Sequence, residues 1–225
     1  MLNPANIYRS KRRTLSLYID PNGELIVKAP LNLSERKIFD FVKEKQDWIR
    51  ARQAQIMKNS YINRDVVSYN MFLYLGRELI PVISADTREI IKSDGSLLIP
   101  AKLDQFKILK KVEKWLRACA QSVIRDRADY FSQVLKLAAN SIGTNNNKTR
   151  WGSCSRDGNI AINWRAIMLK PELLDYIIVH EFCHLLEFNH TKNFWSVVQT
   201  ILPGWRSLRT QLKQMNWILQ LFRTN

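Results

Sequence analysis

The chain has 225 residues, with 35 Lys and Arg against 20 Asp and Glu, a formal net charge of +15. Hydrophobic residues make up 46% and tryptophans number seven, which excludes a disordered or low-complexity chain and leaves mass for one large domain or two small ones. Three cysteines without a CxxC pair exclude a disulfide framework, and no apolar run is long enough to span a membrane.

Residues 11–30 alternate as strands do. Leu15, Leu17 and Ile19 share one face, Pro21-Asn22-Gly23 signals a turn, and Leu25, Val27 and Ala29 resume the alternation, so a hairpin is expected. A helix follows Ser34, a candidate N-cap. Its apolar stripe runs through Ile38, Phe41, Val42, Trp48 and Ile49, breaks only at Lys45, and continues to about Lys58. Short strands are expected at Phe72–Leu75, Leu79–Ile83, Glu89–Ile91 and Leu97–Ile99, with turns at Gly76-Arg77 and Asp94-Gly95. Residues 1–100 therefore read as a small antiparallel β-rich domain with one long helix.

From Leu103 the pattern turns helical, with Val112, Leu116, Cys119, Val123 and Ile124 in one stripe that extends to Leu135. Asn140–Asn147 is polar and loop-like. A second hairpin is expected from Thr149–Cys154 and Ile160–Trp164 around a turn at Arg156–Asn159. Pro171-Glu172 suits the first turn of another helix, and helices at Lys192–Leu202 and Trp205–Phe222 close the chain. The expected fold class is α+β, with a second domain over residues 101–225.

All histidines of the chain, His180, His184 and His190, fall in the run His180-Glu-Phe-Cys-His184-Leu-Leu-Glu-Phe-Asn-His190. On a helix, His180 and His184 share a face and suit one tetrahedral zinc ion. Glu181 projects beside such an ion and suits a general base acting on water held there; this is the HExxH arrangement. His190 reaches the same ion only if the chain turns, and Asn189 is the residue expected to tolerate a left-handed turn. The spacing equals that of the metzincin signature, but Glu187 stands where that signature has glycine, and no Met-turn is identifiable. The residues around the motif, from Leu173 to Phe188, are apolar nearly all round, so the helix is expected in the core.

Together with Thr149-Arg-Trp-Gly-Ser-Cys154, Asn163-Trp-Arg165, Leu174-Asp-Tyr176 and Asn193-Phe-Trp195, this run resembles the YgjP-like metallopeptidase family, itself similar to the SprT-like and WLM proteases of the zincin class. Arg12–Leu17 and Asp47–Arg50 resemble its N-terminal half. The resemblance implies a zincin-like C-terminal domain and a Zn2+ site at His180, His184 and His190, with Glu181 as base. It also implies hydrolysis of a peptide or protein substrate. Cys183 stands where the family commonly has alanine.

Arg150 and Arg165 flank the hairpin before the motif, and either is a candidate oxyanion stabiliser. Ile160–Trp164 is a candidate sheet edge for pairing with an extended substrate. Asp175 is a candidate to orient a ligand histidine, although an acid early in a helix is more often a partner of the helix dipole. Cys183 reads as a core residue, and Cys154 as a ligand only of a closed, structural site.

Basic residues cluster at Arg9–Arg13, along Lys107–Arg117, and beyond Glu187, the last acid of the chain. Such patches attract phosphate backbones, with Tyr8, Trp205 and Trp217 as stacking candidates, although solvated faces are the commoner explanation of the charge and core packing of the tryptophans. Two alternatives thus stand beside the peptidase: a metal-dependent nucleotide phosphohydrolase, and a nucleic-acid-associated protein with a structural zinc site. The N-terminus lacks the apolar core of a secretory signal, so the expected location is cytoplasmic, without membrane attachment.

Overall fold

A computed structural model of the chain describes residues 6–19, 23–67 and 71–222. It divides into two compact units, residues 1–64 and 65–225. The described residues form six α-helices and three small sheets, a mixed α+β fold.

In the first unit, β1 (Asn6–Ser10), β2 (Ser16–Ile19) and β3 (Leu25–Pro30) form a sheet of order β1-β3-β2. The hairpin expected from the alternation is β2 and β3, paired antiparallel from Ser16↔Lys28 to Ile19↔Leu25. Pro21 and Asn22 of its turn lie outside the described residues. The parallel strand β1 was not anticipated, because it carries little apolar alternation; its ladder to β3 is joined by Arg9, whose guanidinium donates to Leu33 O (2.6 Å), and by Ile7, which packs against the buried cluster. The single helix expected next is two, α1 (Glu35–Glu44) and α2 (Gln46–Val67). The chain leaves helical geometry at Lys45 (φ −95°, ψ 14°), where the apolar stripe breaks. Ser34 takes the extended N-cap conformation, without a side-chain bond to the helix. Ile38, Val42 and Ile49 pack with Ile19, Leu25, Val27 and Ala29 into one buried cluster.

The second unit opens with β4 (Phe72–Tyr74), β5 (Arg77–Ser84), β6 (Ile91–Ser93) and β7 (Ser96–Pro100), in the order β4-β5-β7-β6. These strands group with the residues that follow them, so the division falls at 64/65 and not at residue 100. Nor is the sheet wholly antiparallel. The segment between β5 and β6 reverses the chain, and the tight β6–β7 hairpin then brings β7 back parallel to β5. The β4–β5 turn is Leu75-Gly76, both at positive φ (48° and 73°), one residue earlier than expected. Its tip docks by backbone bonds from Leu75 N to Ile167 O (2.7 Å) and from Gly76 N to Met168 O (3.3 Å).

Helix α3 (Gln105–Leu135) begins at Asp104, whose carboxylate accepts from Lys107 N, and ends at Lys136 in the left-handed region (φ 53°). It buries Val112, Leu116, Ala120, Ile124, Ala128 and Phe131, one residue per turn on one face. Several of its cations are paired locally: Lys107 with Asp104 (2.9 Å), Lys111 with Glu89 (3.4 Å) and Arg117 with Glu113 (2.7 Å).

Three further strands, β8 (Ser141–Asn145), β9 (Gly152–Cys154) and β10 (Asn159–Asn163), form a sheet of order β8-β10-β9. The polar stretch expected to be a loop is therefore a strand, parallel to β10. In consequence β10, expected as a sheet edge, is the interior strand, and β8 and β9 are the edges. A buried 3-10 helix, Trp164–Met168, leads into α4 (Pro171–Cys183), followed by α5 (Lys192–Ile201) and α6 (Trp205–Gln214). The helix expected to reach Phe222 stops at Met215 and gives way to a 3-10 turn, Asn216–Gln220. Among the described residues no helix is long and apolar enough to cross a membrane.

Candidate metal centre

Pro171 opens α4 at a position where its missing N–H costs nothing, and Glu172 favours the helix N-terminus. Leu173, Leu174, Ile177, Ile178, Val179 and Phe182 are buried, so the helix is a core element that carries His180 and Glu181 at its C-terminal end. His184 is the C-cap, still right-handed (φ −69°, ψ −16°). The chain then tightens, with Leu185 N bonded to Phe182 O (3.0 Å) and Leu186 N to Cys183 O (3.1 Å). No residue of the turn that follows takes positive φ, so Asn189 does not adopt the left-handed conformation expected of it. Leu186 and Phe188, read as core residues from their apolarity, are exposed beyond the helix end.

Nδ1 of His184 lies 3.0 Å from the Glu187 carbonyl, an approach possible only if that nitrogen donates. In the neutral ring the other nitrogen, Nε2, then carries the lone pair, the tautomer a metal ligand needs. Glu187 thus fixes a candidate ligand through its backbone, at the position where glycine is missing from the metzincin pattern. One nitrogen from each of His180, His184 and His190 falls within 4.8 Å of the others. Nε2 of His180 and Nε2 of His190 are 3.0 Å apart, and two imidazoles on one tetrahedral zinc place these atoms about 3.3 Å apart.

A buried aromatic floor supports the three rings. The Phe194 centroid lies 4.9 Å from that of His180, 4.6 Å from His184 and 4.7 Å from His190. Thr191 caps α5 by accepting from Phe194 N (3.4 Å), so the helix begins directly after the last histidine. His190, itself exposed, is stacked on Trp195 (5.5 Å, 24°), which is stacked in turn on Trp205 (4.1 Å, 12°). Burial, followed by the charges of His184, His190 and Arg209, holds the His180 imidazole down at about 3, and burial likewise lowers His190. Nitrogen donors that stay unprotonated at neutral pH fit a borderline divalent cation.

Glu181 is only 6% exposed, and burial pushes its carboxyl up to about 7 against the opposing charge of Arg150. A carboxyl raised from 4.5 to about 7 by folding binds more protons folded than unfolded between those values, so stability falls as pH rises through that window. The effect is on the order of 3 kcal/mol. His180 acts in the opposite sense, since a depressed imidazole adds stability as pH rises from about 3 to 6.5. Replacing Glu181 by glutamine removes the first effect and keeps the second. Chelator-treated Glu181→Gln is therefore expected to gain stability over the parent between pH 4.5 and 7 and to hold that gain above pH 8, as read by urea unfolding. A difference that does not change with pH would contradict the burial argument.

His180 and Glu181 line one side of a cavity of about 300 Å³. Arg150, a candidate from the sequence, is on its wall. Arg165 is not. It is buried, with Nε donating to Leu221 O (2.8 Å) and Nη1 to Asn146 Oδ1 (2.6 Å), and so secures the loop that carries Arg150. Asp175 accepts twice from Arg127 (2.7 Å each) and ties α4 to α3. Cys183 is buried and its thiol is pushed up to about 12, while the Cys154 thiol donates to Ser155 O (3.5 Å), outside the donor cluster. Tyr176, Arg209, Lys213 and Asn216 also line the cavity. Sequence reasoning assigned none of these a role. Arg209 and Lys213 appeared only as part of a basic tail, and their four-residue spacing on a helix was the unused signal. Gly152 was quoted only as part of a motif, yet a methyl there would stand 2.5 Å from Glu181 Oε1.

The sequence pattern of the family described as YgjP-like, metallopeptidase domain, matches residues 13–215. No curated protein matches the chain. Among solved structures, the metallopeptidase zymogen abylysin of Pyrococcus abyssi is 21% identical over 40% of this chain and 90% of its own, with a TM-score of 0.37. The zymogen jannalysin of Methanocaldococcus jannaschii is 21% identical over 41% and 95%, also at 0.37.

Proposed function

This chain belongs to the YgjP-like metallopeptidase family, and from that membership we propose a zinc-dependent peptidase with a zincin-like catalytic unit in residues 65–225. The family implies a metal-dependent hydrolase of peptide or protein substrates. The observation that carries the finer reading is the convergence of three imidazoles beside one buried carboxyl group, that of Glu181, which lies on a cavity wall. His180, His184 and His190 would hold the ion. Zinc supplies Lewis acidity that polarises a water and the scissile carbonyl.

The remaining work belongs to the chain. Glu181 takes the proton of the attacking water and returns it to the leaving amine. Its low exposure keeps bulk water from competing for that proton. Tyr176 is the donor on the wall suited to the developing oxyanion. The extended substrate pairs with the edge strand β9, next to Glu181, in place of the interior β10.

A second reading, hydrolysis of a nucleotide phosphoanhydride, draws on the cationic side chains of the same cavity. The two are separated with purified protein stripped of metal and reloaded with zinc. Peptide mixtures are expected to be cleaved, with loss on chelation and recovery on zinc addition. Release of phosphate or pyrophosphate from nucleoside triphosphates, with no peptide cleaved, would reverse the assignment.

A further inference from the structure

Glu187 is the last acid of the chain, so α6 and the turn after it carry cations with no acid among them. Arg209 and Lys213, one turn apart on α6, reach the cavity beside His180 and Glu181, and Arg150 reaches it from the loop before β9. Among the described residues none of these three cations forms an ion pair at contact distance, although the charge of Arg150 acts on Glu181. The guanidinium carbon of Arg209 lies over the Trp195 ring (5.0 Å to the centroid), and a ring face has no lone pair to occupy the N–H donors, which are left for another group. The amide oxygen of Asn216 is occupied by the Trp151 indole (2.8 Å), and the group it has left is an –NH2 donor. The wall thus presents donors and positive charge, opposed by the one acid that lines the cavity, Glu181. His184 and His190 do not line it, so the cavity lies to one side of the imidazole cluster, as a substrate subsite flanking the scissile bond does.

We propose that Arg209, Lys213 and Arg150 form a subsite for a carboxylate of the peptide substrate, at its C-terminus or on an acidic side chain next to the scissile bond. The inference rests on the peptidase reading for its substrate class. Arginine grips a carboxylate with paired N–H donors and lysine adds a point charge, while phosphate would satisfy the same groups less selectively.

Binding is measured by calorimetry on the full chain, zinc-loaded and carrying Glu181→Gln, so that no turnover is needed. The probes are acetylated alanine-rich hexapeptides with a free or amidated C-terminus, and amidated ones with Glu or Gln at successive positions. Carboxylate-bearing peptides are expected to bind at least ten-fold more tightly than their neutral counterparts. The free-acid and Glu arms identify which carboxylate is read. Adding Arg209→Gln and Lys213→Gln is expected to bring the ratio close to one, and Arg150→Gln, on a separate element, to reduce it. Equal binding of acidic and neutral peptides overturns the proposal, as does a preference that survives all three substitutions, or displacement of the peptides by inorganic phosphate at concentrations where acetate has no effect. Selective binding without hydrolysis by the parent chain would instead count against the peptidase reading and leave the subsite standing.

Discussion

Glu181→Gln is expected to keep its metal and lose between about 10² and 10⁴ of its hydrolytic rate, the range that positioned proton transfer contributes. Glutamine matches glutamate in size and fits the same pocket, but it cannot accept a proton from water. The candidate ligands are imidazole nitrogens, so metal affinity has no reason to follow the substitution. Burial acts in the variant's favour, because a neutral amide costs less in a site that is 6% exposed than a carboxylate does. The loss therefore cannot be ascribed to unfolding if the zinc content remains stoichiometric and the unfolding midpoint does not fall. Glu181→Asp separates charge from reach, since it keeps the acid but withdraws it by one methylene, and it should recover only part of the rate. A Glu181→Gln protein that turns over peptide at the parental rate with zinc bound would remove Glu181 from the mechanism.

Much of this site was legible because its chemistry is local in sequence. A helix brings His180 and Glu181 to one end of α4, and residue types at that spacing carry a specific geometry. What holds the site was less legible, because it is built from contacts distant in sequence. Phe194 and Trp195 are ordinary aromatics by composition, and only the fold puts Phe194 against three imidazoles and Trp195 against two of them. The two missed strands, β1 and β8, are polar edge strands joined to their sheets by backbone bonds, so alternation had nothing to report. The β8 segment is further tied by Ser141 Oγ to Asn159 Oδ1 (2.7 Å) and by Asn145 Nδ2 to Ala161 O (3.1 Å), polar contacts with no periodic signature. The parallel pairing of β5 with β7 escaped for a related reason, since strand direction depends on the crossover and not on the strands themselves. Conversely, the apolarity of Leu186 and Phe188 was overread, because a helical pattern continued past the residue where the helix ends.

Gly152→Ala is expected to lower the rate by about 10²-fold while stability changes by less than about 1 kcal/mol and metal affinity stays as it was. Gly152 is not at positive φ, so its backbone does not require glycine. The constraint is approach: a methyl there would stand 2.5 Å from Glu181 Oε1, 2.7 Å from Cγ and 2.8 Å from Cδ. Something has to yield, and the strand is the stiffer party. β9 is paired with β10 at Gly152↔Ile162, and the preceding Trp151 is anchored by its indole to Asn216 Oδ1 (2.8 Å) and by its carbonyl to Asn163 N (2.7 Å). The Glu181 side chain has free torsions and moves at little cost in folding energy, but the displaced carboxylate no longer meets the water it must deprotonate. A double-mutant cycle separates this account from a general disturbance of β9. If Gly152 acts only by leaving room for the carboxylate, adding Gly152→Ala to Glu181→Gln costs nothing further in rate. If the two losses multiply, the glycine serves the substrate strand instead and the positioning argument fails.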